Sequence, residues 1–112
     1  MKSLCKKFYF EKTFSRINSF KEKYKDYQIP SSVNGTIIHE LDEILEKIPW
    51  NTLFEGLPYF IHGDLNFGNV LFNKKQFCLI DCRPNFAGFV EFGDIYYDLA
   101  KLYAGLIINF QD

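Results

Sequence analysis

Residues His62 to Asn69 read HGDLNFGN and lie between two short apolar runs, LPYFI and VLF. Glycines and polar side chains at this density suit neither a helix nor a continuing strand, so the chain must turn here. A further apolar run, FCLI (Phe77 to Ile80), follows VLF after the connection NKKQ. That pattern predicts a β-hairpin with a turn-compatible loop. Asn69 opens its first strand and Asp81 follows its second, so the hairpin would carry both side chains to one end. Asp64 stands on the loop leading into Asn69. Three oxygen-bearing side chains are then expected to converge.

Asp and Asn oxygens are hard donors of the kind Mg²⁺ takes, with water and phosphate oxygens completing its shell. A loop Asp can accept the proton of an attacking hydroxyl while an Asn and a second Asp hold metal. The order His62-x-Asp64-x-x-x-x-Asn69, with Asp81 later, matches that division of labour in kinase phosphoryl transfer. Two-metal phosphoesterases depend on several histidine ligands, and this chain has 2 histidines. For the same reason the Cys78-x-x-x-Cys82 spacing does not make a zinc site.

The remaining pattern is mostly helical. Phe10, Phe14, Ile17, Phe20, Tyr24 and Tyr27 recur at helical intervals and predict a first amphipathic helix. IPSSVNG breaks it. Ile37, Leu41, Ile44, Leu45 and Ile48 form the stripe of a second helix, ended by Pro49. Asp94 is placed to N-cap a third, whose expected buried face is Ile95, Leu99, Leu102, Tyr103 and Leu106. Asp98 lies inside that helix, where Asp is a poor former, and should find a hydrogen-bond partner in the loop. Cys78 is expected in the core, His39 on the surface, and Tyr96, Tyr97 and Tyr103 in packing.

Charge is nearly balanced, with 13 basic and 14 acidic residues and a formal net charge of -1. Neither nucleic acid nor an anionic membrane is an expected partner. No run approaches the roughly 20 apolar residues of a membrane span; LAKLYAGLIINF is interrupted by Lys101. The start, MKSLCKKFYFEK, lacks the apolar stretch of a secretory leader. An odd count of 3 cysteines fits a reducing, cytoplasmic setting.

At three ordered places the sequence resembles the C-terminal lobe of the aminoglycoside phosphotransferase and choline kinase group of small-molecule kinases, which share the protein-kinase-like fold. FIHGDLNFGNVLF is similar to their catalytic loop, CLIDCRP to their metal-binding strand end, and FGDIYYDLAKLYAGL to their Gly-Asp-x-x-Tyr-Asp-Leu-Ala helix. The resemblance spans residues 57–108. It implies an α+β fold, a partial kinase-like C-lobe in which helices support a short catalytic hairpin. Residues 1–56 would be the helical segment preceding the catalytic loop, and 57–112 the hairpin and following helix. Asp64 would be the catalytic base or the residue that orients the attacking hydroxyl, Asn69 and Asp81 the Mg²⁺ ligands, and His62, Asp94 and Asp98 supports of the loop. The cofactors would be Mg²⁺ and ATP or another nucleoside triphosphate, and the substrate a small metabolite hydroxyl, as in a sugar, an amino sugar or choline. Gly63, where protein kinases carry an arginine, favours a small-molecule substrate over a protein. The chain departs from the family at Asn66-Phe67, where His-Pro is common, and at Cys82-Arg83-Pro84. Arg83 either meets an anionic substrate group or pairs with Glu91.

Transfer from ATP also needs a cover for the phosphates and a strand Lys from an N-lobe. The 7 glycines never form G-x-G-x-x-G, and no strand of the required kind precedes the first helix. The expected object is a C-lobe fragment, inactive alone, whose N-lobe lies elsewhere or on a partner chain. The alternatives are half of a split enzyme and a non-catalytic, kinase-like binding module. The aromatic share of 19% fits a fragment, whose rings would await a larger core.

Overall fold

The computed structural model describes residues 1–108. A long N-terminal helix is built from α1 (Lys2–Cys5), a π-helical stretch (Lys6–Glu11) and α2 (Lys12–Lys23). The widened π turn changes the angular register, so that the consecutive rings of Phe8, Tyr9 and Phe10 all reach the core cluster. Phe8 stacks on Phe86 at 4.2 Å between centroids, and Phe10 meets the edge of Trp50 at 5.1 Å. The expected stripe runs further than the helix. Tyr24 caps the C-terminus, Tyr27 lies in the following turn, and both are exposed with Phe20. Asp42 reaches that end, pairing with Lys21 at 3.0 Å, but leaves the rings exposed.

IPSSVNG does more than break a helix. Asn34 and Gly35 both have positive φ, 51° and 78°, the geometry of a primed two-residue turn. They join β1 (Ser32–Val33) to β2 (Thr36–Ile37). Ile37 therefore belongs to a strand and not to the second helix, α3, which spans Leu41–Lys47 and buries Leu45. A short α4 (Trp50–Leu53) follows Pro49. The Trp50 indole donates to the Leu45 carbonyl at 3.0 Å and fastens α4 to α3.

The second half carries β3 (Pro58–Tyr59), β4 (Val70–Phe72), β5 (Phe77–Leu79), β6 (Gly93–Asp94) and α5 (Ile95–Ile107). β4 and β5 form the expected hairpin, in register Val70↔Leu79, Leu71↔Cys78 and Phe72↔Phe77. Asn73 locks its turn by accepting from the Lys75 and Gln76 N–H groups at 3.1 and 3.0 Å. The Phe72 and Phe77 rings pair across it at 4.9 Å. Cys78 is exposed on this ribbon and not in the core; all three β5 residues are exposed, and in β4 only Val70 is partly buried. β3 pairs antiparallel with β6, Pro58 opposite Asp94 and Tyr59 opposite Gly93. This ties the approach to the polar loop to the start of α5.

The architecture is thus mixed α+β, with small antiparallel two-stranded sheets. The core gathers Cys5, Phe54, Ile61 and Phe86 between the N-terminal helix and β3–β6. The face expected to be buried on α5 is corrected. Leu99, Tyr103 and Leu106 are exposed, Leu106 at 73%, whereas Asp98 is 3% exposed. The neighbour of α5 is a polar loop, so the helix turns its charged residues inward to meet it. Total accessible surface is 9134 Å². A compact monomer of this mass exposes only about 6,400 Å². The radius of gyration, 16.9 Å, likewise exceeds the roughly 13 Å of a compact chain this long.

Candidate active site

The loop is anchored first through its backbone. His62 is buried at the end of the β3 approach. Its N–H donates to Asp98 Oδ2 at 2.6 Å, and the Gly63 N–H donates to Asp98 Oδ1 at 3.0 Å. One carboxylate on α5 thereby satisfies two loop amides. Arg83 N–H donates to the His62 carbonyl at 2.7 Å, so the strand-end segment crosses close over the loop. That crossing explains Gly63. Its φ is +85°, and a Cβ there would land on the Arg83 carbonyl oxygen.

The His62 ring fixes the next step. Nε2 lies 2.7 Å from the Ile80 carbonyl, and Nδ1 accepts from the Asp64 N–H at 3.2 Å. Both contacts are satisfied by one neutral tautomer, with the proton on Nε2. His62 thus bridges the loop to the end of β5.

Asp64 is the most heavily engaged side chain of the loop. Its Oδ1 accepts from Asn66 Nδ2 at 3.2 Å and sits 3.4 Å from Lys101 Nζ; its Oδ2 accepts from Asn69 Nδ2 at 3.3 Å. Asn69 Nδ2 also donates to the Asp64 carbonyl at 2.9 Å. Burial pushes the Asp64 carboxyl up, but the hydrogen bond and charge of Lys101, the Asn66 amide and the Arg83 charge together outweigh it. The group is held below the ordinary carboxylate range and is ionised at neutral pH.

The structure brings Asp64 and Asn69 together directly. Asp81 reaches the same end of the hairpin through the backbone: the Ile80 N–H donates to the Asn69 carbonyl at 3.0 Å, and Asp81 is the next residue. It is exposed, at φ +55°, a left-handed conformation that Asp tolerates better than most residues. Asp94 caps α5, accepting from the Tyr96 N–H at 3.2 Å. Its other partners are the Leu57 N–H at 2.9 Å and the Tyr9 hydroxyl at 2.7 Å, so it binds the N-terminal helix and the β3 approach, while Asp98 holds the loop. Arg83 is exposed and forms no ion pair with Glu91 among the described residues.

Among the described residues no group of three or more His, Cys, Asp or Glu side chains converges as a metal cage. Mg²⁺ does not need one, since it is commonly held by one or two carboxylates with substrate phosphates. The donor set here fits that pattern. With Nδ2 of Asn69 committed to Asp64, the amide oxygen is the end left for a cation, and the Asp81 carboxylate is exposed at the same end of the ribbon. A cavity of about 650 Å³ lies against Asp94, lined by Tyr9, Leu53, Glu55, Tyr96 and Tyr103 among others. No residue of the 62–69 loop lines it.

Lys101 and Tyr9 are the contributors that residue patterns did not single out. Lys101 could have been found from its place one helical turn after Asp98. Tyr9 carried no comparable signal.

The model of one protein family, described as the phosphotransferase enzyme family, matches residues 10–112. No match was found among curated proteins or among solved structures.

Proposed function

The chain belongs to the phosphotransferase enzyme family, and from that premise we propose that it forms the catalytic floor of a protein-kinase-like C-lobe. The reaction is transfer of a phosphoryl group from ATP, or another nucleoside triphosphate, to a hydroxyl of a small metabolite such as a sugar, an amino sugar or choline. The observation that carries this reading is the Asp64–Asn69 pair, set by the loop at the base of the β4–β5 hairpin, with Asp81 one residue beyond the Ile80–Asn69 bond.

Each residue has a task in this reading. Asp64 is ionised and accepts the proton of the acceptor hydroxyl. Asn69 commits its amide nitrogen to Asp64, which leaves the amide oxygen as its remaining donor atom for a cation. His62, buried, holds the Asp64 amide against the end of β5. Asp98 fixes the loop backbone, and Asp94 fixes α5 to the remainder of the molecule. Arg83, free of Glu91, is available to an anionic group of the acceptor or donor. Asn69 and Asp81 are the residues that would hold Mg²⁺, which when bound neutralises charge on the phosphates.

Residues 1–56 serve as the helical support and 57–112 as the catalytic segment; Asn109 to Asp112 lie outside the described residues. No G-x-G-x-x-G cover is encoded in these 112 residues, so turnover requires a nucleotide-covering lobe from elsewhere, and the chain alone is inactive. Three unpaired cysteines favour a cytoplasmic setting. Among the described residues no helix is long and apolar enough to cross a membrane.

A Mg²⁺ titration followed by ¹⁵N NMR tests the assignment. The side-chain amide of Asn69 and the backbone amides of Asp64 and Asp81 should shift together along one binding curve that tightens when ATP is added. Their silence would leave the alternative, a kinase-like module that binds without catalysing.

A further inference from the structure

α5 meets the loop at more than Asp98. Asp98, Lys101 and Gly105 stand at positions i, i+3 and i+7 of one helix and therefore share a stripe. Each faces a successive part of the loop. Asp98 holds the amides of His62 and Gly63 at 2.6 and 3.0 Å. Lys101 Nζ lies 3.4 Å from Asp64 Oδ1. Gly105 lies directly beneath the Phe67 ring: a Cβ there would stand 2.7 Å from Cδ2 and 2.8 Å from Cε2. Loop and helix thus run alongside one another, with 62–63, 64 and 67 set against 98, 101 and 105.

We propose that Lys101 and Gly105 are positioning residues of this site, and that with Asp98 they make one stripe of α5 a template for the catalytic loop. The functional meaning rests on the reading of Asp64 given above. Two features of the loop require such a template. The terminal torsion of an Asp side chain is soft, so the plane of its carboxylate is set by the donors around it. Asn66 and Lys101 share Oδ1 while Asn69 takes Oδ2; of these donors only Lys101 comes from outside the loop. The Tyr97 ring, one turn back on α5 and 5.9 Å from Nζ, lies under the ammonium. Phe67 is 50% exposed, so core burial does not fix it; the contact that does is with Gly105, where any Cβ would collide with the ring's Cδ2 and Cε2.

Amide hydrogen exchange of the full chain, without Mg²⁺ or nucleotide, tests this. The reporters are Asn66 and Asn69, whose N–H groups bond within the loop to the Asp64 and Asn66 carbonyls at 2.9 and 3.0 Å. Lys101→Met should accelerate both by up to about fivefold, the scale of a partly exposed ion pair, and Lys101→Arg should restore them. Gly105→Ala should accelerate the same amides and shift the Phe67 ring resonances. In every variant His62 and Gly63, still bonded to Asp98, and Phe86 in the core should keep parental rates. Unchanged Asn66 and Asn69 in Lys101→Met, failure of Arg to restore them, or an equal acceleration at Phe86 would overturn the proposal. Because no ligand is present, this outcome is separate from the Mg²⁺ titration. A silent titration with a loosened loop would reject the phosphotransferase reading and keep the template.

Discussion

Asp98 is the residue on which the loop depends most. It is a buried carboxylate whose two oxygens each satisfy a backbone amide of the loop. Replacing it by Ala leaves two donors without partners, each costing about 1–3 kcal/mol. Asp98→Ala should therefore lower the urea midpoint strongly, and Asp98→Asn, which keeps one acceptor oxygen, by less. Tyr9 sets a limit at the alkaline side. Burial first, and then its bond to Asp94, raise the Tyr9 hydroxyl far above the ordinary tyrosine value. A group whose folded value is raised contributes stability that is fully present below its unfolded value, about 10 for tyrosine, and is lost as pH rises beyond it. Chemical denaturation across that range should show stability falling more steeply for the parent than for Tyr9→Phe. Phe removes the titration, and with it a hydrogen bond to a carboxylate worth about 1.5–3 kcal/mol.

At the scale of elements, the β4–β5 ribbon determines whether Asn69 and Asp81 stay at one end. Its strands bury little, so the turn matters more than packing. Asn73 closes that turn through two backbone donors. Asn73→Ala should cost about 1 kcal/mol and accelerate exchange of the Ile80 amide, which bonds to Asn69 at the far end of the ribbon. This hairpin, the cap at Asp94 and the loop spacing were legible in the sequence because each is local: turn residues, a capping position, a fixed interval. The second hairpin was signalled by Asn34-Gly35, but its strands are so short that the signal read as a helix break. The face of α5 was not legible, because the rule that apolar residues point inward assumes an apolar neighbour. Asp98 and Lys101 point inward because the neighbour is a loop of amides and carboxylates. Tyr9 has no local signature because its partner Asp94 is 85 positions away along the chain; Lys101, whose partner Asp64 is 37 positions away, is marked locally only by its spacing of three from Asp98.

For the whole molecule, the decisive quantity is surface. The chain exposes about 2,700 Å² more than a compact monomer of its mass would, and much of the excess is apolar, from Phe20 through Phe60 at 82% exposed to Phe77 at 71%. The isolated chain should bind a hydrophobic dye such as ANS in its native state, and dye binding should fall when any covering lobe is supplied. Among the described residues the aromatic side chains divide accordingly: Phe8, Phe54, Phe86 and their neighbours form a core, while rings such as Phe60, Phe72, Phe77 and Tyr103 lie open. The 62–69 loop is nevertheless held together, since its bonds run through backbone amides, His62 and α5. The most direct test is the thermal midpoint with and without Mg²⁺ and a non-hydrolysable ATP analogue, for the parent and for Asp81→Ala. The account predicts a rise in the parent that requires both additions and is lost in Asp81→Ala. No rise in the parent, or an equal rise in Asp81→Ala, would contradict it.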